Sequence, residues 1–307
     1  MLDLSVVILT FDSQNFIQGC VDSLINSHEI SFDSRKGKYQ GEIVVVDNAS
    51  RDGTSKIVLN NYSLVKLIQS HENLGFSKGN NLGIKKCSSR YILLLNPDAF
   101  VAKNTLEEMI TFMDSTPKAG IATCFVELVA SSKIDPASHR GFPTPWASLT
   151  YYLGLEKLFP RLPMFSQYHQ SYKNFNKTHE VDAVSGSFML VRSTALKEVG
   201  LLDEDYFMYA EDLDLCYRVK EVGWKTYFCP FVKAYHYKGM SSGIKGNLKT
   251  QVPVTQKEKE VAFNAFFDTM KMFYDKHYKN KYPKIIRGLV FVGIDLKKLL
   301  SKVKMKV

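Results

Sequence analysis

The chain has 307 residues, 45% hydrophobic and 23% charged, with a formal net charge of +9. Such a composition is that of an ordinary globular protein, and the length suits one large α/β domain with an extension, or two small domains. The charge excess is local: residues 1–244 carry 25 Lys+Arg against 26 Asp+Glu, and residues 245–307 carry 15 against 5. The body is therefore not a generic nucleic-acid binder, and the basic tail reads as a separate functional device.

Five cysteines (Cys20, Cys87, Cys124, Cys216, Cys229) form no C-x-x-C pair and no regular spacing. That argues against a zinc site or disulfide framework and fits a reducing compartment. Met1 to Leu9 contains Asp3, lacks a basic start and runs into a strand pattern, so no signal peptide is expected. No apolar run approaches the roughly 20 residues that would span a bilayer.

Taken in order, Leu4 to Thr10 is a β-branched, apolar strand of the fully buried type. Gln14 to Ser27 carries a helical stripe (Phe16, Ile17, Cys20, Val21, Leu24, Ile25), and polar residues 29–41 read as a surface insertion. Ile43 to Val46 is a second buried strand, ended by Asp47-Asn48-Ala49-Ser50, and Asp52-Gly53-Thr54 opens a short helix. Leu64 to Ile68 is a third strand, and Glu72 to Asn81 a polar, glycine-bearing loop that feeds a helix to about Cys87. Tyr91 to Leu95 is a fourth strand, too short for an isolated helix and apolar enough to be buried on both faces. Pro97 lacks an N–H and holds Asn96 extended, so the ladder stops there and leaves Asp98 at the carboxyl end of a central strand. Alternating strands and helices with short joints mean βαβ units and a parallel sheet.

Gly120 to Val129 reads as another strand. Residues 131–180 show little periodicity and many prolines and aromatics, a loop region of a length usually functional or mobile. Val181 to Arg192 resumes strand pattern around Ser185-Gly186-Ser187. Ser193 is a candidate N-cap for a short helix to Val199. Glu211 to Gly223 is a helix, Lys225 to Phe228 and Val232 to His236 are strand-like, and Gly239 to Gly246 has hinge character.

Polar clusters thus fall at strand ends of one expected sheet: Asp47, Asn73 with Asn80 and Asn81, Asp98, Glu211-Asp212 and His236. Each has a plain alternative. Asp47 and Asp98 could cap following turns, Glu211 and Asp212 could be first-turn acids that favour the helix dipole, and His236 could be a satisfied, half-buried histidine. Jointly they point to a ligand site, because the carboxyl edge of an open α/β sheet is where ligands bind. A carboxylate placed there suits a hard cation.

Six segments then carry a resemblance: Ser5 to Phe11, Asp47 to Thr54, Asn73-Leu74-Gly75-Phe76 through Gly79-Asn80-Asn81, Leu95-Asn96-Pro97-Asp98, Ser185-Gly186-Ser187 and Tyr209 to Leu215. In this order they are similar to the family 2 inverting glycosyltransferases of GT-A fold, and most to their rhamnosyltransferase branch. The resemblance covers roughly residues 4–240. It implies a GT-A domain over 1–244, with a nucleotide-sugar-binding half (1–100) and an acceptor and catalytic half (101–244), followed by a basic helical extension (245–307). It implies a donor site from Thr10, Phe11, Asp12, Asp47, Asn48, Asn73, Gly75, Phe76, Lys78, Asn80, Asn96, Asp98 and Gly186, with Thr10 and Asp47 at base and ribose. Asp98 would hold Mg²⁺ or Mn²⁺ on the diphosphate, with His236 as second ligand. Asp212 would be the general base, with Glu211 beside it.

The chemistry asks for these types on its own account. A diphosphate leaving group needs its charge offset by a cation, and an acceptor hydroxyl needs a base on the opposite face of the donor sugar. Two departures from the family pattern stand out. The common Asp-x-Asp becomes Asn96-Pro97-Asp98, leaving one motif carboxylate, and Asp12 replaces a usual Asn.

Glu258 to Tyr278 alternates charge with apolar residues, an amphipathic helix. Residues 284–307 hold seven basic residues against Asp295 alone, interleaved with aliphatics, which reads as an interfacial helix on anionic lipid; a dimer contact or a solvated end is the alternative. The expectation is a metal-assisted, inverting transferase. It would move rhamnose or another deoxyhexose from a dTDP donor to a glycan or lipid-linked acceptor in bacterial surface-polysaccharide assembly, in the cytoplasm and peripheral on the inner face of the plasma membrane. A UDP-hexose or UDP-N-acetylhexosamine donor is the alternative within enzymes; a non-catalytic sugar-nucleotide or membrane-surface binding protein is the alternative outside them. A nucleotidyltransferase is disfavoured because no Gly-rich, Lys-bearing triphosphate loop follows the first strand.

Overall fold

A computed structural model of the chain describes residues 1–33, 37–238 and 255–306. The elements run β1 (Leu2–Thr10), α1 (Ile17–Ile25), β2 (Ile30–Ser31), β3 (Tyr39–Asp47), α2 (Thr54–Asn61), β4 (Val65–Gln69), α3 (Gly75–Ile84), β5 (Ser89–Leu95), β6 (Ala99–Val101) and α4 (Thr105–Ser115). They continue with β7 (Ala119–Leu128), β8 (Lys133–Ile134), α5 (Pro145–Tyr152), α6 (Leu155–Leu158), β9 (His179–Val181), β10 (Phe188–Arg192), α7 (Ser193–Val199), α8 (Glu211–Glu221), β11 (Lys225–His236), α9 (Gln256–His277) and α10 (Lys284–Lys306).

One sheet organises them, with main order β2-β3-β1-β5-β10-β7-β11-β6 and β4 beside β3. Its first half is parallel, as the βαβ pattern demands: β1 pairs with β3 and with β5, and β3 with β4. The central strands are buried on both faces, which is why they read as unbroken apolar runs. Val6, Ile8, Leu93 and Leu95 enter one core with α1 and α4, while Val7, Ile92 and Leu94 enter the other with α7, α8 and α9.

The second half departs from the expected parallel order. β10 inserts antiparallel between β5 and β7, and β6 and β9 pair antiparallel with β11. This reversal brings the Ser185 to Ser187 turn to the carboxyl end of β5, where the Asn96 amide donates to the Ser187 carbonyl at 3.3 Å. The two strand-like pieces after Lys225 are one strand whose register against β7 shifts between Cys229 and Lys233.

Three further expectations need correction. Residues 75–81 are not loop: α3 begins at Gly75. Its glycines are packing devices, since a Cβ at Gly79 would lie 2.4 Å from Leu9 and one at Gly83 2.5 Å from Val7. Residues 131–180 are less irregular than their composition suggests, holding β8, a 3-10 turn at Pro136–Ser138, α5 and α6. Ser193 is the first residue of α7 rather than its cap, and its hydroxyl donates instead to the Ser89 carbonyl at 2.6 Å.

The long α9 starts at a capping box in which Thr255 and Glu258 satisfy each other's backbone amides. It buries Phe267, Phe273 and Tyr274, and α10 packs back on it through Arg287 to Asp275 at 2.6 Å and a buried Ile294. The expected hinge at Gly239 to Gly246 and the boundary at residue 244 lie outside the described residues. Among the described residues no helix is long and apolar enough to cross a membrane.

Candidate active site

Register places the site. Thr10 lies opposite Asp47 at the ends of β1 and β3, and β5 ends beside them at Leu95. On the far side His236, the last residue of β11, pairs with Ala99 and so lies next to Asp98. A single cleft of about 2360 Å³ opens over this edge. It exceeds the size usual for one small ligand.

At the β1–β3 edge of the cleft the polar groups are locked to one another. The Asp47 carboxylate is buried and accepts from the Thr10 hydroxyl (3.3 Å) and the Ser50 amide (3.2 Å). Asn48 donates to Asn73 Oδ1 at 2.9 Å and accepts from the Leu74 amide at 2.9 Å, tying the β3 turn to the start of α3. Gly75 sits there with φ +79°, and a Cβ would fall 2.4 Å from the Phe207 carbonyl. Only glycine tolerates that approach, and it clamps this edge of the cleft to the segment leading into α8. A Cβ on Gly186 would lie 2.8 Å from the Phe76 ring, so this glycine makes room for Phe76. Asp12, at φ 49°, accepts from the Arg51 amide (2.7 Å) and pairs with its guanidinium, which also reaches Glu258 of α9 at 2.9 Å. The residue that departs from the family pattern thus anchors α9 to the nucleotide-side loops.

Of the residues named from sequence, Thr10, Phe11, Asn48, Asn73, Gly75, Phe76, Asn96, Gly186, Glu211, Asp212 and His236 line the cleft. Asp47 and Asp98 lie one layer beneath it. Asn80 is buried and donates to the Phe76 carbonyl of its own helix at 2.9 Å; Lys78 is exposed on α3, away from the cleft lining.

Asp98 is 1% exposed, and neither carboxylate oxygen has a hydrogen-bond partner among the described residues. His236 Nε2 stands 3.3 Å from Asp98 Oδ1 without the alignment of a hydrogen bond. Its Nδ1 faces Asp135 Oδ2 at 3.0 Å, and Lys238 pairs with the other oxygen of Asp135. Burial alone would lower the His236 pKa, but the two carboxylates overcome it and raise it to about 9. Bare, buried carboxylate oxygens match the chemistry of a divalent-cation site, and His236, its second nitrogen held by an acid, could join as a ligand once a cation displaced the proton that the two carboxylates favour. Among the described residues no three His, Cys, Asp or Glu side chains are arranged to hold a metal by themselves, so a cation here needs ligand oxygens from elsewhere.

At the opposite wall Tyr209 (φ 73°) and Ala210 (φ 67°) are both left-handed, a conformation costly for side-chain-bearing residues that collects at functional sites. The double turn starts α8 with Glu211 and Asp212 facing the cleft. Asp212 Oδ2 accepts from Arg140 Nη2 at 2.5 Å, a partly buried pair. Glu211 forms no ion pair among the described residues: burial, and then the charge of Asp212, push its pKa up to about 8 against the opposing pull of Arg140. The two acids are thereby differentiated, one paired with a guanidinium and one holding its proton near neutral pH, which is how neighbouring carboxyls take different roles.

This asymmetry has a measurable sign. Folded Glu211 keeps its proton to about pH 8 where an ordinary glutamate releases it near 4.5. The folded state therefore binds the extra proton between those values, and stability falls as pH rises through that window. Glu211→Gln should match the parent in urea stability near pH 4 and exceed it at pH 9. Identical unfolding curves at pH 9 would mean Glu211 carries no such penalty.

Asp135 and Arg140 were not visible in the sequence, because both lie in the aperiodic 131–180 segment. The one local signal was Asp135-Pro136, the start of the 3-10 turn that Asp135 caps by accepting from the Ala137 amide.

The family model described as "Glycosyl transferase family 2" matches residues 5–200. The chain is 27% identical over 217 residues to the N-acetylglucosaminyl-diphospho-decaprenol L-rhamnosyltransferase of Mycobacterium tuberculosis, covering 66% of this chain and 68% of that protein. It is 32% identical over 171 residues to the rhamnosyltransferase WbbL of Escherichia coli K12, covering 53% of this chain and 61% of that one. Among solved structures it is similar to S. aureus TarS 1–349, at a TM-score of 0.53 and 18% identity, over 76% of this chain and 60% of that one. It is also similar to the mannosyltransferase PcManGT from Pyrobaculum calidifontis in complex with GDP-Man and Mn²⁺, at a TM-score of 0.54 and 17% identity, over 80% and 60%. The chain thus spans less than two thirds of both solved structures.

Proposed function

The chain belongs to glycosyl transferase family 2, and from that premise we propose that it moves a deoxyhexose such as rhamnose from a dTDP donor, with inversion, to a hydroxyl of a lipid-linked glycan acceptor in surface-polysaccharide assembly. The observation that carries this reading is the pairing of two unlike walls across one cleft. His236, with the bare Asp98 carboxylate buried behind it, stands on one side and the Asp212–Arg140 pair on the other.

A donor would lie along Thr10, Asn48, Asn73 and Phe76 with its diphosphate toward Asp98 and His236. Asp98, His236 and the diphosphate oxygens would together hold Mg²⁺ or Mn²⁺; the cation, when bound, offsets the charge of the departing diphosphate. Asp212 then takes the proton of the acceptor hydroxyl as the new bond to the anomeric carbon forms and the bond to the diphosphate breaks on the opposite face. Glu211, held neutral, donates a hydrogen bond and does not compete for that proton. The solved mannosyltransferase that holds a sugar nucleotide with Mn²⁺ supports the donor and cation parts of this reading.

The tail supports a membrane-bound setting. On α10, Ile285, Leu289, Val292, Leu296, Leu299 and Leu300 are each more than half exposed. They recur every three or four residues, so they form one outward stripe, with Lys284, Lys297 and Lys302 beside it. That is the form of an interfacial helix on anionic lipid at the cytoplasmic face.

A donor panel tests the assignment: thermal shift and slow donor hydrolysis with dTDP-rhamnose, UDP-glucose and UDP-N-acetylglucosamine, each in Mn²⁺. Stabilisation and hydrolysis should be largest with dTDP-rhamnose. A preference for a UDP sugar would keep the enzyme and change the donor; no hydrolysis of any donor in metal would leave a binding protein.

A further inference from the structure

A second exposed apolar surface adjoins the cleft outside the tail. From α5 through the loop after α6, Leu149, Leu153, Leu158, Phe159, Leu162 and Met164 are exposed, with Leu158 at 69% and Leu153 at 63%. This shelf is built rather than frayed. Trp146 Nε1 donates to the Met164 carbonyl at 2.8 Å, and the Phe165 ring lies 6.5 Å from Trp146 and 5.4 Å from Phe159. Its charges have one sign. Lys157 and Arg161 are exposed, while the sole acid between residues 145 and 164, Glu156, is buried and turned inward to His169.

The shelf is also continuous with the tail. Lys297 of α10 lies 5.2 Å from the Tyr152 ring, and Leu149, Tyr152 and Leu153 line the cleft mouth opposite Leu289, Leu296 and Leu300. Two exposed apolar surfaces, each edged by cations, therefore flank one opening whose floor holds Glu211 and Asp212. Apolar exposure of this extent marks an interaction surface, and cations edging broad aliphatic surface on both sides of the cleft complement an anionic phospholipid bilayer and disfavour a basic or neutral partner.

We infer that the shelf of residues 146–164 is a second bilayer-contacting surface, and that it and α10 seat the cleft mouth on the membrane. A lipid-linked acceptor then enters sideways from the bilayer, its apolar chain between the two surfaces and its sugar at Asp212. This rests on the proposed transfer reaction for the acceptor's identity, but the lipid contact stands on the surface alone.

Trp146 is a built-in probe, since the chain has two tryptophans. In a full-length Trp224→Phe background, Trp146 emission should shift to the blue and lose at least half its intensity on vesicles of phosphatidylglycerol and brominated phosphatidylcholine in equal parts. A Leu158→Glu, Leu162→Glu double variant alters exposed positions only. It should lower vesicle affinity about tenfold, the loss of two apolar anchors, and leave donor hydrolysis unchanged. Flotation through α10 with unaltered Trp146 emission would overturn the shelf contact and leave sugar transfer standing. Trp146 shielded without vesicles, in a dimeric species, would overturn it in favour of a second copy. Failure of every variant to hydrolyse donor would count against the transfer reaction and not against the lipid contact.

Discussion

Replacing Asp212 with asparagine should cut sugar transfer by about 10²–10⁴, the usual contribution of a placed general base, while donor affinity by calorimetry stays within about twofold. The expectation follows from how the pair at the start of α8 is divided. Glu211 forms no ion pair among the described residues, and its pKa is raised to about 8 by burial and by its neighbour's charge, so it is a poor base at neutral pH. Asp212 faces the cleft with Arg140 at 2.5 Å. Asparagine keeps the volume and one acceptor oxygen for Arg140, so the local packing is preserved and the lost group is the proton acceptor. The proposed donor contacts at Thr10, Asn48 and Asn73 are on other elements of the cleft lining and should not respond. Near-normal turnover in this variant would remove Asp212 from the base role. Transfer that survives in Asp212→Asn but disappears in Glu211→Gln would move the role to Glu211.

How much of this could be seen before folding depends on the range of each signal. β1, β3 and β5 are legible because burial on both faces writes an unbroken apolar run into the chain, and the polar residues that end those runs fall at the cleft edge by topology alone. The antiparallel course of β10 is not legible, since its apolar residues read the same in either direction. Gly75 and Gly79 look like loop residues, because local propensity penalises them in a helix; their reason is tertiary, the close approach of α3 to Leu9 and the Phe207 carbonyl. Asp135 and Arg140 are hidden for the same cause. Their partners, His236 and Asp212, lie 101 and 72 residues away, and nothing in the surrounding aperiodic segment distinguishes them from solvated polar residues. Asp12 illustrates the converse. Its departure from the family pattern is plain in the sequence, but its partners Arg51 and Glu258 become meaningful only once α9 returns across the nucleotide-side loops.

The second large effect concerns Asp98. Asp98→Ala should weaken donor binding in saturating Mn²⁺ by at least about tenfold, a shift of 1.4 kcal/mol or more, and leave the weaker metal-free binding unchanged. The carboxylate is 1% exposed, and both its oxygens lack hydrogen-bond partners among the described residues. Burying such a group is costly unless something compensates it, and its ion-pair partner among the described residues, His236 at 3.3 Å, is already engaged by Asp135. A bound cation would remove that imbalance, with Asp135 orienting the histidine from behind. Because alanine also removes one side of a buried pair and can destabilise the fold, Asp98→Asn serves beside it, keeping the volume while removing the charge. If both variants fold and both bind donor in excess metal as the parent does, Asp98 holds no cation. Its burial beside His236 would then be a structural ion pair. Loss of metal-dependent affinity in both, with unchanged metal-free affinity, distinguishes a ligand from a packing residue, since a packing defect would weaken the two modes alike.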